Sequence, residues 1–571
     1  MDRKRFNYIR SYIWLLLFLL IIPGRSPAQV GATKYYKHGI VVSAEQRASK
    51  IGRDILKEGG NAVDAAVGVQ FALAVTLPRA GNIGGGGFMV IHMANGTDQA
   101  LDFREKAPLK ASSDMYIRNG KYQPKLSRRS ALAAGVPGVV DGMIKAIEYY
   151  GRLPLETVIQ PAISLAKNGY KLSWPEAHVL NKYAKDLEKY KGSKKYFIKK
   201  DGEEKWNQGD LFVQKDLAQT LQRIANLGRD GFYSGKTADM IVAEMKIQHG
   251  LISYKDLEKY HSVWRDPIET SFLGYNLYIM PPPSSGSVAI HQMLDMLKPY
   301  DLKKLGFNSA DYVHVVTETM RRAFADRAYF LGDPDFVDVP IKKLLSQQYN
   351  KKRMDSFSWD HASSSKTIGH GRIPSFHEST ETTHYSIVDQ DGNAVSVTTT
   401  LNGNFGCKIA IKGAGFFLNN EMNDFTAEPG KPNMFGLIQG KANAIKPGKR
   451  MLSSMSPTIV TKDKKVRMVL GAAGGPRIIT ATLQNFLNLS VFGMDPAQAI
   501  SAPRFHHQWM PNKLYFEKFG LSPDTQRKLK DMGHNLTPTS EIGRAHIIYV
   551  NKNGLKYGAP DPRAYGDSEG Y

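Results

Sequence analysis

After an apolar start, hydrophobic positions along this chain switch between helical and strand periods. The stretch opening at Ser43-Ala44-Glu45-Gln46 reads as a helix through Leu56, stopped by Gly59-Gly60. Asn61 caps a second helix, Ala62 to Thr76, ended by Pro78; it is apolar all round, so it is predicted to be buried. Four glycines, Gly84 to Gly87, lead into Met89-Val90-Ile91-His92-Met93, a strand. From 135 to about 354 the pattern is mainly helical, with one apolar face in Val139 to Tyr149, Leu217 to Ala225 and Tyr312 to Leu331. A proline-rich elbow around Pro281-Pro282-Pro283 interrupts it, and the polar, aperiodic stretch 356–381 predicts a long exposed arm.

Strict alternation follows the arm. Thr382 to Asp389 and Ala394 to Thr400 flank Gln390-Asp391-Gly392-Asn393, a strong turn, and together predict a β-hairpin that makes the two threonine clusters cross-strand neighbours. A further strand is expected at Val466 to Leu470, running into Gly474-Gly475. The expected fold class is α+β, with helices covering both faces of a packed pair of sheets.

Composition narrows the function. The chain has 571 residues, 42% of them hydrophobic and 23% charged, as in an ordinary globular protein. Its net charge of +23 invites a nucleic-acid reading, but the lysine clusters carry interspersed acids and no helix-turn-helix, zinc-finger or RNP pattern, so no nucleic acid is expected as a partner. The single cysteine, Cys407, excludes an intramolecular disulfide and a thiolate zinc cluster. Residues 1–28 combine a basic head, an apolar run from Ile13 to Ile22 and the small residues Ser26 and Ala28. That is the pattern of a secretory signal peptide cut after Ala28, with no stable membrane anchor, placing the protein in the periplasm or outside the cell.

The arm ending at Glu381 and the strand opening at Thr382 have the form of an internal cleavage site that frees a new N-terminus. A threonine hydroxyl needs a base, and a freed α-amine with a pKa of roughly 7.7–8.0 fills that role near neutrality. Composition alone favours the plainer reading of Thr382-Thr383 as β-branched strand residues. No G-x-S-x-G elbow occurs. The four-glycine loop lacks the Lys-Ser/Thr ending of a phosphate cradle and reads as close backbone packing. His506-His507 lacks a partner at metal-ligand spacing and is assigned a structural role.

Several motifs together carry a resemblance. Thr382-Thr383-His384-Tyr385-Ser386, Leu418 to Phe425 (LNNEMNDF), Leu452 to Thr458 (LSSMSPT), Gly474-Gly475, Asp561-Pro562-Arg563, Asp102-Phe103-Arg104-Glu105 and the 82–88 glycine loop resemble the γ-glutamyltranspeptidases. The resemblance implies an N-terminal nucleophile hydrolase with an αββα sandwich, made as a proenzyme that cuts itself into a large subunit, 29–381, and a small subunit, 382–571, which remain a heterodimer.

By the same resemblance Thr382 is the nucleophile and its amine the base, Thr400 its hydrogen-bond partner, and Gly474 and Gly475 the oxyanion hole. Asn402, Glu421 and Asp424 bind a substrate α-ammonium, while Arg104, Ser453 and Ser454 clamp the α-carboxylate. Phe435 stands in a lid where tyrosine is common, which keeps an aromatic gate without the hydroxyl. The implied activity transfers the γ-glutamyl group of glutathione and related compounds to water, an amino acid or a peptide, with no metal or organic cofactor. A glutaryl acylase of the same fold and a non-catalytic basic envelope protein are the alternatives.

Overall fold

The computed structural model of the chain describes residues 34–199, 205–369, 382–426 and 440–571. Two sheets, antiparallel throughout, are built from strands scattered along it. One, of seven strands, runs in the order Asp567–Gly570, Ile40–Ser43, Thr383–Val388, Ala394–Thr400, Gly86–His92, Asp98–Asp102, Val263–Arg265. The eight-stranded one runs Lys34–Tyr36, Lys556–Pro560, Arg544–Val550, Lys465–Leu470, Thr458–Lys462, Tyr275–Ile279, Ile268–Phe272, with Ala472–Ala473 added beside Arg544–Val550. The predicted hairpin thus sits mid-sheet, between Ile40–Ser43 and Gly86–His92. Both sheets interleave strands from either side of residue 381, so the two parts of the chain share both sheets of the core.

Because successive strand residues face opposite ways, the central strands of the first sheet serve two cores. Val41, Met89, Ile91, Tyr385, Ile387, Val395 and Val397 pack with the helices Gln46–Lys57, Ala62–Thr76, Val139–Tyr150 and Leu155–Asn168. Ile40, Val42, Phe88 and Val90 point the other way and pack with Leu277, Ile459, Met468 and Leu470 of the second sheet. Its far side is covered by Gly286–Leu297, Ala310–Phe330 and Arg477–Ser490. Polar rungs join the sheets as well: Ser386 Oγ donates to His546 O at 2.9 Å, and Ser396 Oγ to Leu470 O at 3.0 Å. This is the αββα four-layer arrangement.

All fifteen residues of Ala62–Thr76 are buried, and its start is a capping box, with Asn61 accepting from Val63 and Asp64 N–H while Asp64 accepts from Asn61 N–H. Tyr385 OH donates to Ala66 O at 3.1 Å, tying the hairpin to that helix. The stretch read as mainly helical also contains a hairpin, Ile268–Phe272 with Tyr275–Ile279. Its turn residues Leu273 and Gly274 have φ of 51° and 76°, and leucine in that position hides a turn that Asn-Gly would have announced. In the described part of the arm, Ser365 and Ile368 are buried and Trp509 Nε1 donates to Ser365 O at 2.7 Å, so it is docked at that point rather than wholly exposed. The rest of the arm through Glu381, Phe435 and residues 1–28, where the signal peptide is expected, lie outside the described residues.

Candidate active site

The hairpin register pairs Thr383 with Thr399, which leaves Thr382 one step beyond the last rung, at the position opposite Thr400. Both line a cavity of about 30 Å³. Thr400 is held from three sides. Its Oγ1 accepts from Asn402 N–H at 2.7 Å, its carbonyl accepts from Asn82 Nδ2 at 3.1 Å, and Gly85 approaches so closely that an added Cβ would lie 2.1 Å from that carbonyl. The glycine loop therefore serves close backbone packing: Cβ atoms at Gly84 and Gly87 would likewise meet Phe417 O at 2.0 Å and Thr398 O at 2.3 Å. One rung inward, His384 Nδ1 is 2.9 Å from Thr398 Oγ1 and Nε2 3.1 Å from Ser386 Oγ. Burial and nearby His546 hold its pKa well below the usual imidazole range, so it is neutral.

The acidic side of the cavity comes from a short 3-10 helix, Glu421–Asp424. Three residues per turn eclipse positions i and i+3, so both terminal carboxylates share one face. Arg104, just past strand Asp98–Asp102, lies between them: Nη1 donates to Glu421 Oε1, and Nη2 to Asp424 Oδ2 at 2.6 Å. Nη1 also reaches Glu105 Oε2 at 3.4 Å, Nη2 Leu452 O at 3.4 Å, and Nε Met451 O at 3.2 Å. Asn402, at a φ of 70° that asparagine tolerates, donates Nδ2 to Asn420 O at 2.9 Å beside them.

Three buried carboxylates thus surround Arg104. Burial pushes Glu421 well above the usual carboxylate range and raises Asp424, against the pull of Arg104; it lifts Glu105 to about 7. Burial opposes the charge on Arg104, yet the fields of Glu421, Glu105 and Asp424 prevail and raise its pKa. Glu421 Oε2 and Asp424 Oδ1 accept no hydrogen bond among the described residues. Two buried carboxyl oxygens without a donor suit a cationic group with several N–H donors, whose charge would draw these carboxyls toward the ionised form.

Ser453 and Ser454 also line the cavity. The proline elbow fixes them: Ser453 N–H donates to Pro283 O at 2.9 Å, and Ser285 donates to Ser453 O through its N–H at 2.8 Å and its hydroxyl at 2.6 Å. Ser285 and Arg327, a cavity-lining residue in the last turn of Ala310–Phe330, are absent from the sequence reading. Their signal was there in outline, since a helix read as an apolar face carries Glu318, Arg321, Arg322, Asp326 and Arg327, all buried. Gly475, Pro476 and Ile478 close the cavity with the start of helix Arg477–Ser490, whose positive dipole end favours developing negative charge. Gly474 and Gly475 have φ of 134° and 58°, conformations that favour glycine.

Elsewhere, His314, Glu318 and His534 gather potential metal ligands, with His314 Nδ1 2.7 Å from His534 Nε2. Glu318 is instead engaged by Arg321 and Arg322, which supply the positive charge there. His506 contacts Thr480 and Gln508, and His507 contacts Asn512, as buried hydrogen-bonding residues. Cys407 is buried, which lifts its thiol to about 11.

Comparison with known proteins matches residues 48–571 to the family model for γ-glutamyltranspeptidase. The chain is 48% identical over 533 residues to the glutathione hydrolase proenzyme of Escherichia coli K12, covering 93% of this chain and 91% of that one. The structure of Helicobacter pylori γ-glutamyltranspeptidase matches 59% of this chain and 95% of its own, with 47% identity and a TM-score of 0.56. A cephalosporin acylase from Bacillus halodurans matches 96% of this chain and 99% of its own, with 25% identity and a TM-score of 0.84.

Proposed function

The chain belongs to the γ-glutamyltranspeptidase family, and from that premise we propose that it is an exported, self-processing γ-glutamyl transferase and glutathione hydrolase. The observation that carries this reading is the meeting of Thr382 with Arg104, Glu421 and Asp424 in one small cavity. Cleavage between Glu381 and Thr382 gives the threonine a free amine. That amine takes the hydroxyl proton as Oγ attacks the γ-amide carbonyl, and the N–H groups of Gly474 and Gly475 steady the oxyanion. The proton passes to the leaving amine, the C–N bond breaks, and a γ-glutamyl ester of Thr382 remains. Water or the amine of an amino acid or peptide then attacks the ester, returning the proton to Oγ.

Glu421, Asp424 and Asn402 receive the donor's α-ammonium, and Arg104, Ser453 and Ser454 its α-carboxylate. Glutathione is the expected donor. The reaction as written uses only groups of the chain. The signal segment 1–28 directs export; among the described residues no helix is long and apolar enough to cross a membrane.

A glutaryl acylase is the second reading, favoured by the acylase-like fold. The excess of carboxylates around Arg104 opposes it, since a glutaryl group has no ammonium to neutralise them. The test compares purified protein on L-γ-glutamyl-p-nitroanilide and glutaryl-p-nitroanilide. Release of p-nitroaniline from the first alone supports the transferase; turnover of the second alone overturns it.

A further inference from the structure

Arg104 has five N–H donors, and in this structure five acceptors stand around them: the carboxylates of Glu421, Glu105 and Asp424 and the carbonyls of Met451 and Leu452. Its charge is matched within its own cluster. An incoming α-carboxylate would share Arg104 with these partners, so a second source of positive charge beside it would strengthen the recognition of that group.

Arg327 is placed to be that source. It is 2% exposed and lines the same cavity. Nε donates to Ser285 Oγ at 2.8 Å, and Nη2 to Ser454 Oγ at 3.1 Å. Ser285 in turn donates its hydroxyl to Ser453 O. One guanidinium thus holds both members of the Ser453-Ser454 pair, the second directly and the first through Ser285. A hydroxyl that accepts from a cation keeps its own proton for another acceptor and donates it more strongly. Ser454, so held, presents an O–H to the cavity.

We propose that Arg327 is a specificity-determining positioning residue, which selects donors bearing an α-carboxylate by polarising and aiming Ser454 and by adding a second positive charge to the cavity beside Arg104. The proposal rests on the γ-glutamyl donor reading above and adds to the carboxylate half of its recognition an arginine outside the motifs that carry the family resemblance.

The experiment uses the processed heterodimer and two donors, L-γ-glutamyl-p-nitroanilide and 4-aminobutanoyl-p-nitroanilide, which is the same molecule without the α-carboxylate. Arg327→Gln should lower kcat/KM for the glutamyl donor about 10- to 100-fold, mostly through KM, as expected for a lost hydrogen bond to a charged group. The aminobutanoyl donor should change by less than about threefold, so the preference between donors collapses. Arg327→Lys should restore part of it. Ser285→Ala, which cuts the link while keeping the charge, should raise KM for the glutamyl donor alone and serves if Arg327→Gln fails to process. An equal fall for both donors, or an unchanged ratio in Arg327→Lys and Ser285→Ala, would overturn the proposal. Failure of the wild type to turn over the glutamyl donor would instead remove the donor reading on which it stands.

Discussion

Arg104 Nη2 donates to Asp424 Oδ2 at 2.6 Å, which joins a residue expected to clamp a carboxylate to one expected to bind an ammonium. The two halves of the donor site are therefore one electrostatic unit, with Glu421 on the other Nη. Exchanging Asp424 for Ala should lower kcat/KM for γ-glutamyl donors by about 2–5 kcal/mol, because the donor ammonium loses a buried partner and Arg104 shifts toward Glu421. Processing into two subunits should survive. Steady-state rates beside denaturing electrophoresis check this, and an unchanged kcat/KM would move the ammonium site elsewhere.

Thr382→Ala should remain a single chain of mature length, while the wild type yields two bands, the smaller beginning at Thr382. The expectation follows from a nucleophile that acts first on its own preceding peptide bond. N-terminal sequencing reads the outcome directly, and a small band starting at any other residue would displace the assigned nucleophile.

Glu105 supplies a pH test of the buried acidic cluster. Its folded pKa of about 7 lies above the unfolded carboxylate value, so the folded state holds a proton that the unfolded chain has already released. Stability from this group is full below about pH 4.5 and is lost as pH rises toward 7, roughly 3 kcal/mol by the linkage relation. Glu105→Gln cannot lose that proton. Its stability relative to wild type, followed by urea denaturation of the donor-free heterodimer, should therefore improve between pH 4.5 and 7 and level off above. A gap independent of pH would show that Glu105 is ionised throughout.

Gly85→Ala should damage chemistry as well as stability. The added Cβ would lie 2.1 Å from Thr400 O and 2.7 Å from Asn82 Oδ1, and both are fixed rather than flexible. Overpacking of this kind costs about 1–3 kcal/mol, here relieved by moving Thr400 away from Thr382. Slower processing of the precursor with a lowered kcat is the expected result, read from a time course of subunit appearance. Normal processing in a merely less stable protein would confine Gly85 to packing.

Local pattern was enough for much of this protein. The buried helix Ala62–Thr76, its Asn61 cap and the 394–400 strand emerge at their predicted bounds, because capping, periodicity and turn chemistry act over a few residues. The motif residues Thr382, Thr400, Asn402, Glu421, Asp424, Arg104, Ser453, Ser454 and Gly475 converge on one cavity although they come from segments hundreds of residues apart. What pattern could not supply was the hairpin at 268–279, whose Leu273-Gly274 turn lacks a signature, or the C-terminal strand Arg544–Val550, which pairs between Lys465–Leu470 and Lys556–Pro560 in the eight-stranded sheet. Nor could it show that Arg104 is enclosed by carboxylates or that Arg327 and Ser285 reach Ser454 and Ser453. Those relations depend on which side chains meet when separate layers close, and both hydrogen-bond satisfaction and buried charge are properties of the packed assembly rather than of any segment.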